Sequence, residues 1–375
     1  MMRTPALCAA AAAALLLGAC RQHAHTIAVT NDSDLDRTAE IVEVPLASIP
    51  VAQPFRIVGG ADAPEVPYQI TYDSLLIFPA TVAARMSAVY TIVPGEPAAQ
   101  DTIAWGRLFP ERKDDMAWEN DRSAYRAYGP ALQASGERAF GYDIWTKCVP
   151  FRVLEKRMAD DIERGISFHV DHGEGMDVYA VGPTLGGGTA ALLDSAGTIL
   201  YPWGFSGYEV LDRGPLRFTV RLTYPDSTRE SRIISLDAGS WLNRTTVRYD
   251  GALPADASVA PGIVVHRQNP EGYTFGEGYM AYADSTENAS AGNGVIFVGV
   301  VAPQADDFVY SPLAEPAGDA IGHILARSPY TAGTDYTYWW GSAWSKGGMP
   351  DAAAWNETIA DFSARLANPL KVEVK

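Results

Sequence analysis

Short apolar runs separated by glycine, proline and aspartate recur along most of this chain. Between residues 55 and 93 they read FRIVG, YQITYD, LLIFPA and AVYTIV. From residue 167 onward they continue as SFHVDH, MDVYAVG, RFTVRLTY, SRIISLD, NRTTVRYDG, GIVVHR, YMAYAD and GVIFVGVV. Short runs divided by turn residues are typical of antiparallel strands. The pattern therefore predicts a mostly β protein, either a sandwich or a barrel.

One run alternates strictly enough to predict which face of its strand is buried. In RFTVRLTY every second residue is apolar, and successive side chains of a strand point to opposite faces of the sheet. The face predicted to be buried carries Phe218, Val220, Leu222 and Tyr224.

Helical periodicity occurs in fewer places. Residues 351–367 follow Pro350 and carry apolar side chains at helical spacing, so they predict a helix near the C-terminus. Its apolar stripe consists of Trp355, Ile359, Phe362 and Leu366. A second, shorter helix is predicted after Pro150.

The stretch from Pro110 to Leu132 combines many charged side chains with aromatic ones. Its charged residues are Glu111, Arg112, Lys113, Asp114, Asp115, Glu119, Asp121, Arg122 and Arg126, and its aromatic residues are Trp118, Tyr125 and Tyr128. Four of these residues follow the spacing i, i+4, i+8 and i+11, which predicts a helix over residues 114–128 with one shared face. They are Asp114, Trp118, Arg122 and Tyr125.

Length and composition are those of a globular protein. The chain has 375 residues, 47% hydrophobic and 20% charged, enough for a large buried core. We predict a single domain over residues 26–375, with N-terminal strands in 26–105 and the main sandwich in 106–375. The net charge of −16 disfavours nucleic acid as a partner.

The N-terminal residues resemble a lipoprotein signal. Arg3 precedes a short apolar run that ends in Leu-Gly-Ala-Cys at Cys20, which resembles the bacterial lipobox. We predict that residues 1–19 are a signal peptide, that Cys20 is lipidated and that residues 20–25 are a tether. The protein would then be anchored in the bacterial envelope, in the outer membrane facing the periplasm or the cell surface. Ordinary signal cleavage is the alternative.

Only Cys148 would then remain in the folded part, where we expect a small buried residue rather than a nucleophile. The sequence has no G-x-S-x-G elbow, phosphate-binding loop or dinucleotide fingerprint, which disfavours serine hydrolases, kinases and nucleotide-dependent oxidoreductases. We therefore predict no cofactor.

Two histidines in SFHVDHGEG are candidates for proton transfer. His169 and His172 are three residues apart, so on a strand they face opposite ways and cannot chelate one metal ion. We therefore predict no metal. An imidazole can act as a base or an acid near neutral pH, although each histidine could equally belong to a polar turn. His323, in IGHILAR, is a further candidate.

Carboxylates and aromatic residues suggest a sugar site. Asp114, Glu174, Asp177 and Glu277 are candidates for a glycosidase-type carboxylate pair, whose spacing the sequence does not give. An exposed glutamate in a tight turn is as plausible for the two Gly-Glu-Gly segments. Trp344 lies among glycines and serines, where a sugar ring could stack against it.

Four motifs together resemble a known family. They are PERKDDMAWENDR, SFHVDHGEGMDVYAVGPTLGGG, GPLRF and YTYWWGSAWSKGG. They are similar to a secreted bacterial family of unknown-function domains from polysaccharide-utilisation loci, linked to ulvan oligosaccharide dehydratases. The resemblance runs from about Thr26 to the C-terminus. It implies a galactose-mutarotase-like β-sandwich and a lyase that removes water from an anionic, uronate-containing oligosaccharide.

The sequence therefore predicts a lyase or dehydratase for acidic, possibly sulfated, oligosaccharides. Chemistry alone suggests His172 or His169 as base and Tyr125 as acid. The residues predicted to bind substrate are Arg112, Lys113, Asp114, Trp118, Glu119, Arg122, Glu174, Glu277, His323 and Trp344. Two alternatives stay open. One is a glycoside hydrolase that uses two of Asp114, Glu119, Glu174 and Glu277, and the other is a non-catalytic sugar-binding lipoprotein.

Overall fold

The structure is a computed structural model, and it describes residues 25–59, 64–225, 227–285 and 289–375. The predicted signal peptide, most of the predicted tether and Cys20 lie outside the described residues. No helix in the described ranges is long and apolar enough to cross a bilayer.

The N-terminal strands form two sheets around a core of their own. The strands are β1 (His25–Thr30), β2 (Arg37–Pro45), β3 (Phe55–Val58), β4 (Glu65–Val66), β5 (Gln69–Ile70), β6 (Leu75–Val82) and β7 (Ser87–Pro94). A three-stranded sheet has the order β2-β6-β5. The other sheet is β1-β7-β3-β4, extended by the last strand of the chain, Lys371–Val374, which pairs with β1. Ile27, Phe55 and Phe78 are fully buried between the two sheets.

A four-stranded antiparallel sheet replaces the predicted helix over residues 114–128. Its strands are β8 (Trp105–Phe109), β9 (Asp115–Glu119), β10 (Ala124–Ala127) and β11 (Asp143–Trp145), in the order β11-β10-β9-β8. The helix prediction is wrong because the apolar side chains alternate with a period of two. Met116, Trp118 and Tyr125 point into the main core. Arg122 lies in the turn between β9 and β10.

Two large antiparallel sheets form the main sandwich. Its strands are β12 (Gly187–Leu193), β13 (Ile199–Leu200), β14 (Gly207–Arg213), β15 (Arg217–Thr223), β16 (Glu230–Asp237), β17 (Leu242–Tyr249), β18 (Ser258–His266), β19 (Tyr273–Gly276), β20 (Tyr279–Ser285), β21 (Val295–Val301), β22 (Asp307–Ala317), β23 (Ala320–Pro329) and β24 (Tyr336–Trp344). The strand that ends the chain is β25. The eight-stranded sheet has the order β14-β15-β16-β17-β24-β21-β20-β19, and the five-stranded sheet has the order β13-β12-β18-β23-β22. The predicted antiparallel β-sandwich is confirmed.

β15 has the predicted buried face, and its other face is buried as well. Phe218, Val220 and Leu222 are fully buried in the core. On the opposite face the N-terminal sheets cover Arg217, whose guanidinium contacts Glu43 at 2.6 Å and Asp237 at 2.5 Å. A polar face that alternates with an apolar one can therefore face another sheet instead of solvent.

Three α-helices lie in the described residues: α1 (Pro130–Ala134), α2 (Leu154–Arg164) and α3 (Ala352–Ala367). Short 3-10 turns occur at Leu46–Ser48, Pro110–Arg112 and Ala289–Ala291. The predicted C-terminal helix is confirmed, and the Asp351 carboxylate caps it by accepting from the Ala354 N–H at 2.9 Å. Trp355 and Ile359 bury its stripe against the eight-stranded sheet. The short helix predicted after Pro150 is confirmed as α2.

The predicted strands SFHVDH and MDVYAVG are wrong, because residues 165–186 form an irregular segment over the four-stranded sheet. Gly175 has φ of +103°, and a Cβ there would stand 2.2 Å from the Thr146 carbonyl oxygen. This close approach requires glycine and interrupts any extended strand. The nearby thiol of Cys148 is exposed, not buried as predicted.

Candidate functional site

The candidate site lies on the face of the four-stranded sheet that points away from the main core. Asp115, Ala117 and Glu119 share this face of β9, and Arg126 lies opposite Ala117 on β10. Helix α2 and the irregular segment 165–186 pack over the same side, since Leu154 and Phe168 join its small apolar cluster. The face therefore carries charged side chains under a cover of protein, where electrostatic effects are strong.

One arginine and three aspartates meet at the centre of this face. Arg126 Nη2 lies 2.5 Å from Asp143 Oδ2 and 3.3 Å from Asp177 Oδ2, and Nη1 lies 3.4 Å from Asp115 Oδ2. All four side chains are buried, the most exposed being the Arg126 side chain at 6%. We call these residues, with Tyr128 and Tyr179, the Arg126 centre.

The Arg126 centre holds more carboxylates than cations, and burial makes this costly. Burial raises the pKa of the Asp115 carboxyl to about 6, although Arg126 opposes the shift. Burial alone would lower the pKa of Arg126, but Asp143 and the other acidic neighbours raise it above its usual value. Perturbed titrating groups in one place are typical of functional sites.

Two tyrosines complete the centre. The Tyr128 ring lies 4.9 Å from the Arg126 guanidinium carbon. Burial, followed by Asp143, raises the pKa of the Tyr128 phenol well above its ordinary value, so it keeps its proton at neutral pH. The Tyr179 hydroxyl and Arg126 Nε are buried and have no hydrogen-bond partner among the described residues. Buried donors of this kind are rare and need an explanation.

A buried histidine and aspartate lie behind Tyr179. His266 Nδ1 contacts Asp284 Oδ2 at 2.9 Å, and its ring lies 6.3 Å from that of Tyr179. Burial opposes protonation of His266, yet the hydrogen bond to Asp284 raises its pKa. His266 also bonds the backbone of Ala180, the residue that follows Tyr179.

The rim of the Arg126 centre carries a cation and an imidazole on one aromatic ring. The Arg112 guanidinium lies 5.6 Å from the Phe168 ring centroid, and the His169 ring lies 4.7 Å from it. Phe168 packs on Trp145 at 4.6 Å, and Trp145 in turn lies 5.3 Å from the Arg126 guanidinium. The rim is therefore joined to the centre by buried packing contacts through Trp145.

The backbone sets the tautomer of His169. Its Nδ1 lies 2.7 Å from the Asp177 carbonyl oxygen, which can only accept a hydrogen bond. In the neutral ring Nδ1 therefore carries the proton and Nε2 is the basic atom. The Asp177 carboxylate lies 3.9 Å from the same Nδ1. The His169 side chain is 55% exposed, so solvent and ligands can reach it.

Glu119 lies on the same strand face but serves the fold. Its carboxylate accepts from the Lys147 ammonium at 2.8 Å and from the backbone N–H groups of Val153 and Leu154 at 2.9–3.0 Å. These N–H groups begin α2, where a carboxylate also stabilises the helix dipole. The predicted substrate-binding role of Glu119 is therefore wrong, because all of its polar atoms are satisfied internally.

The structure brings only some of the predicted site residues to the Arg126 centre. Arg112 and His169 lie on its rim. Lys113 and Asp114 form the turn that enters β9, where Lys113 pairs with Glu137 at 2.8 Å. Arg122 lies in the opposite turn, 5.0 Å from the Trp241 ring.

Two aromatic predictions are wrong because the side chains point into the main core. Tyr125 is fully buried, accepting from the Ser342 N–H and donating to the Trp241 carbonyl oxygen, each at 3.1 Å. Trp118 is fully buried and donates to Asn243 at 2.7 Å. Neither can act on or stack against a substrate.

Two C-terminal predictions are wrong for the same reason. Trp344 is 2% exposed and donates to the Asn293 carbonyl oxygen at 2.8 Å, so it is not a cleft wall. His323 is fully buried, accepts from the Leu185 N–H at 3.2 Å, and has its pKa lowered to about 3 by burial. It stays neutral and cannot exchange protons with a substrate.

The remaining candidates lie elsewhere on the surface. His172 is exposed, and its Nε2 lies 3.1 Å from the Ser167 carbonyl oxygen. Glu174 pairs with Lys156 at 2.9 Å. Glu277 is exposed in the turn between β19 and β20, which is the structural alternative considered for it.

Most residues of the Arg126 centre carry little signal in the sequence. Asp115, Arg126 and Tyr128 were within the charged stretch, but a helical spacing assigned them to the wrong faces. Asp143 and Tyr179 carried no local signal, because they join the centre only through tertiary contacts. A period of two over residues 115–119 was the one available indication.

Proton transfer is the chemistry that this arrangement can perform. It offers an exposed imidazole with a basic Nε2, a phenol that keeps its proton and a rim guanidinium. Within the described ranges, no group of three or more His, Cys, Asp or Glu side chains is arranged to hold a metal ion.

The fold can be compared with those of two solved structures. A protein of the glycosyl hydrolase family 38 from Enterococcus faecalis superposes with a TM-score of 0.48 at 8% identity, over 94% of this chain and 47% of that one. An α-mannosidase from Enterococcus faecalis V583 superposes with a TM-score of 0.46 at 10% identity, over 94% of this chain and 46% of that one. The chain thus spans about half the length of these solved structures.

Sequence comparison gives the family. Uncharacterized protein P7 of Formosa agariphila is 28% identical over 304 residues, which cover 76% of this chain and 73% of that protein. Residues 29–372 match the domain of unknown function DUF4861. The matched range includes nearly all described strands of the N-terminal sheets and of the main sandwich, and it includes the Arg126 centre. The chain therefore belongs to the DUF4861 family.

Proposed function

We propose that this protein is a carbohydrate-active lyase or dehydratase that acts on uronate-containing oligosaccharides at the Arg126 centre. The observation that carries the proposal is the rim, where Arg112 and His169 flank the Phe168 ring. Phe168 packs on Trp145, which contacts Arg126, and the half-buried Tyr128 phenol lies against that arginine. Elimination next to a carboxylate needs a base, an acid and a cation, and His169, Tyr128 and Arg112 supply one of each.

In the proposed reaction His169 Nε2 removes the proton from the carbon next to the substrate carboxylate. The electrons of that C–H bond form a C=C bond, and the C–O bond on the neighbouring carbon breaks. Tyr128 gives its proton to the departing oxygen, which leaves as water or as a sugar hydroxyl. Solvent then returns the proton to Tyr128 and removes the one on His169, so the reaction needs no oxidant or cofactor.

Each residue suits its role on physical grounds. The Asp177 carboxylate stabilises the imidazolium that His169 becomes. The Tyr128 phenol is protonated at neutral pH, as a general acid must be, and its raised pKa means that it gives the proton up only to a strongly basic, alkoxide-like oxygen. Arg112 has no carboxylate within ion-pair distance in the described part of the chain, so its guanidinium is available for the substrate carboxylate.

The test uses two histidines of the same segment. Oligosaccharides prepared from ulvan and from polygalacturonate are incubated with the wild-type protein and with the variants His169→Asn and His172→Asn. We expect ultraviolet absorbance of an unsaturated uronate from the wild type and from His172→Asn. In His169→Asn the rate should fall by about a hundredfold or more. Full turnover in His169→Asn refutes the assignment, and no product or binding from the wild type refutes the function.

A glycoside hydrolase is the second candidate, and one distance favours it. The carboxylates of Asp143 and Asp177 both contact Arg126 Nη2, at 2.5 and 3.3 Å. Their oxygens are therefore at most about 6 Å apart, within the spacing of glycosidase pairs. New reducing ends without ultraviolet absorbance would identify hydrolysis, and binding without either product would identify a sugar-binding protein.

We also propose that Cys20 anchors the protein to the bacterial envelope through a lipid. The support is the apolar run that ends in Leu-Gly-Ala-Cys. Cys20→Ser should move the protein from the membrane fraction to the soluble fraction of cells. Unchanged membrane association of that variant would contradict the proposal.

A further inference from the structure

Three aromatic side chains, of which Trp203 is exposed and Phe140 and Tyr201 are half-buried, form a cluster outside the Arg126 centre. The Phe140 ring lies 5.4 Å from the Tyr201 ring and 6.3 Å from the Trp203 ring. Trp203 is 50% exposed, the only tryptophan among the exposed large apolar residues of the described chain. We call Phe140, Tyr201 and Trp203 the aromatic platform.

The platform is anchored from below and carries polar groups at its edge. Tyr201 packs 5.9 Å from the buried His323 ring, and burial raises the Tyr201 pKa to about 12. The exposed Arg138 guanidinium lies 6.0 Å from the Phe140 ring centroid. The platform is therefore a fixed apolar surface next to a cation.

Two chain segments connect the platform to the Arg126 centre. Gly204, which follows Trp203, lies against Tyr128, since a Cβ on Gly204 would stand 3.0 Å from the Tyr128 carbonyl oxygen. On the other side, Phe140 is three residues before Asp143, a span of at most about 10 Å. The platform thus borders the residues proposed to perform the chemistry.

An amide group lies at this junction. Gln133 Nε2 would be 2.9 Å from a Cβ on Gly204, and it is a buried donor without a hydrogen-bond partner in the described residues. Side-chain amides beside aromatic rings are the usual partners of sugar hydroxyls, because each ring offers an apolar face and each amide offers a donor.

The geometry points to the aromatic platform as a second sugar-binding subsite, which stacks a ring of the oligosaccharide next to the unit held at the Arg126 centre. This inference rests on the proposed function. The occupant is a pyranose ring, since its apolar C–H face fits an exposed indole and its hydroxyls can bond the exposed Arg138 guanidinium beside the platform. The protein should therefore bind oligosaccharides of four or six units more tightly than disaccharides.

The experiment compares Trp203→Ala and Trp203→Phe with Phe275→Ala as the matched control. Phe275 is 39% exposed and packs on Tyr273. Both residues lie on β19, an edge strand of the eight-stranded sheet. Ulvan oligosaccharides of two, four and six units are the probes. Affinity is measured by calorimetry and kcat/KM by product absorbance, so that binding is followed even where turnover is absent.

We expect Trp203→Ala to lose about three- to tenfold in affinity and kcat/KM for the longer oligosaccharides only. Trp203→Phe should retain part of the affinity and kcat/KM that Trp203→Ala loses. Phe275→Ala should match the wild type in both. Equal affinities of the wild type and Trp203→Ala at every length overturn the subsite while leaving the proposed function in place. Binding that depends on Trp203 without any product supports the subsite and refutes the lyase. No binding by the wild type overturns both.

Discussion

The outer face of β9 and β10 carries two buried ion clusters with opposite properties. In the first, Glu119 and Lys147 balance each other in charge, and the carboxylate also accepts three hydrogen bonds from the first backbone N–H groups around α2. In the second, Arg126 faces three aspartates, and its Nε has no partner in the described part of the chain.

The difference separates a structural cluster from the one that we propose to be functional. Burying a charge is costly unless it is paired and hydrogen-bonded, and the Glu119–Lys147 pair meets both conditions. The Arg126 centre meets neither fully, and burial raises the pKa of the Asp115 carboxyl there. Buried charge that destabilises a fold is typical of sites where it serves a reaction. This is our reason for proposing that the function lies at the Arg126 centre.

Removing one partner of the balanced pair should have the largest effect on stability. In Lys147→Met the Glu119 carboxylate stays buried without its cation, so we expect a loss of about 3–5 kcal/mol in the free energy of unfolding. The double variant with Glu119→Gln should recover much of this. Urea denaturation measures both, and turnover per folded molecule should not change. A loss below about 1 kcal/mol in Lys147→Met would contradict the structural role.

The Arg126 centre should affect how the free energy of unfolding depends on pH. The folded protein holds the Asp115 proton up to pH of about 6, whereas an unperturbed aspartate loses it at 3.8. The contribution of Asp115 to the free energy of unfolding is thus greatest below pH of about 4 and falls by about 3 kcal/mol as the pH rises to about 6.

Asp115→Asn should lack this decline, because an amide does not titrate in this range. Urea denaturation at several pH values between 4 and 7 gives the difference between the two proteins. If the free energy of unfolding depends on pH in the same way in the wild type and in Asp115→Asn, the Asp115 carboxyl does not have a raised pKa.

Two arginines of the charged stretch offer the smallest and most specific contrast. Arg112→Gln should raise KM for uronate oligosaccharides about tenfold, or about 1.4 kcal/mol, by removing a charge-assisted hydrogen bond. Arg122→Gln should not, because Arg122 lies over Trp241 in the opposite turn. The effect of Arg112→Gln should shrink at high salt. Equal KM changes in the two variants would place the substrate carboxylate elsewhere.

Much of the fold was predictable because its signals are local. The alternation in β15 and the apolar stripe of α3 each give a face that tertiary packing then buries. The helix over residues 114–128 was mispredicted for the same reason. A spacing of four fits a helix and also places Asp115 and Glu119 on one face of a strand, and burial of charge on that face is not visible in the sequence.

The site was predictable only in part because it is built from distant segments. Arg112 and His169 were identified by their chemistry, since exposed cations and imidazoles are plausible wherever they meet a substrate. Tyr125 was chosen over Tyr128, although a change of three residues reverses the direction of the side chain on a strand. Asp143 and Tyr179 reach the centre through the segments before and after α2, a contact that no local pattern records.

The most direct test of the account compares these two tyrosines by the same substitution. Tyr128→Phe removes the proposed acid, so turnover of uronate oligosaccharides should fall by about a hundredfold or more while the fold is kept. Tyr125→Phe removes hydrogen bonds to Trp241 and Ser342, so it should cost about 1 kcal/mol of stability and leave turnover per folded molecule unchanged. Full turnover in Tyr128→Phe, or its loss in a folded Tyr125→Phe, would contradict the placement of the site at Arg126.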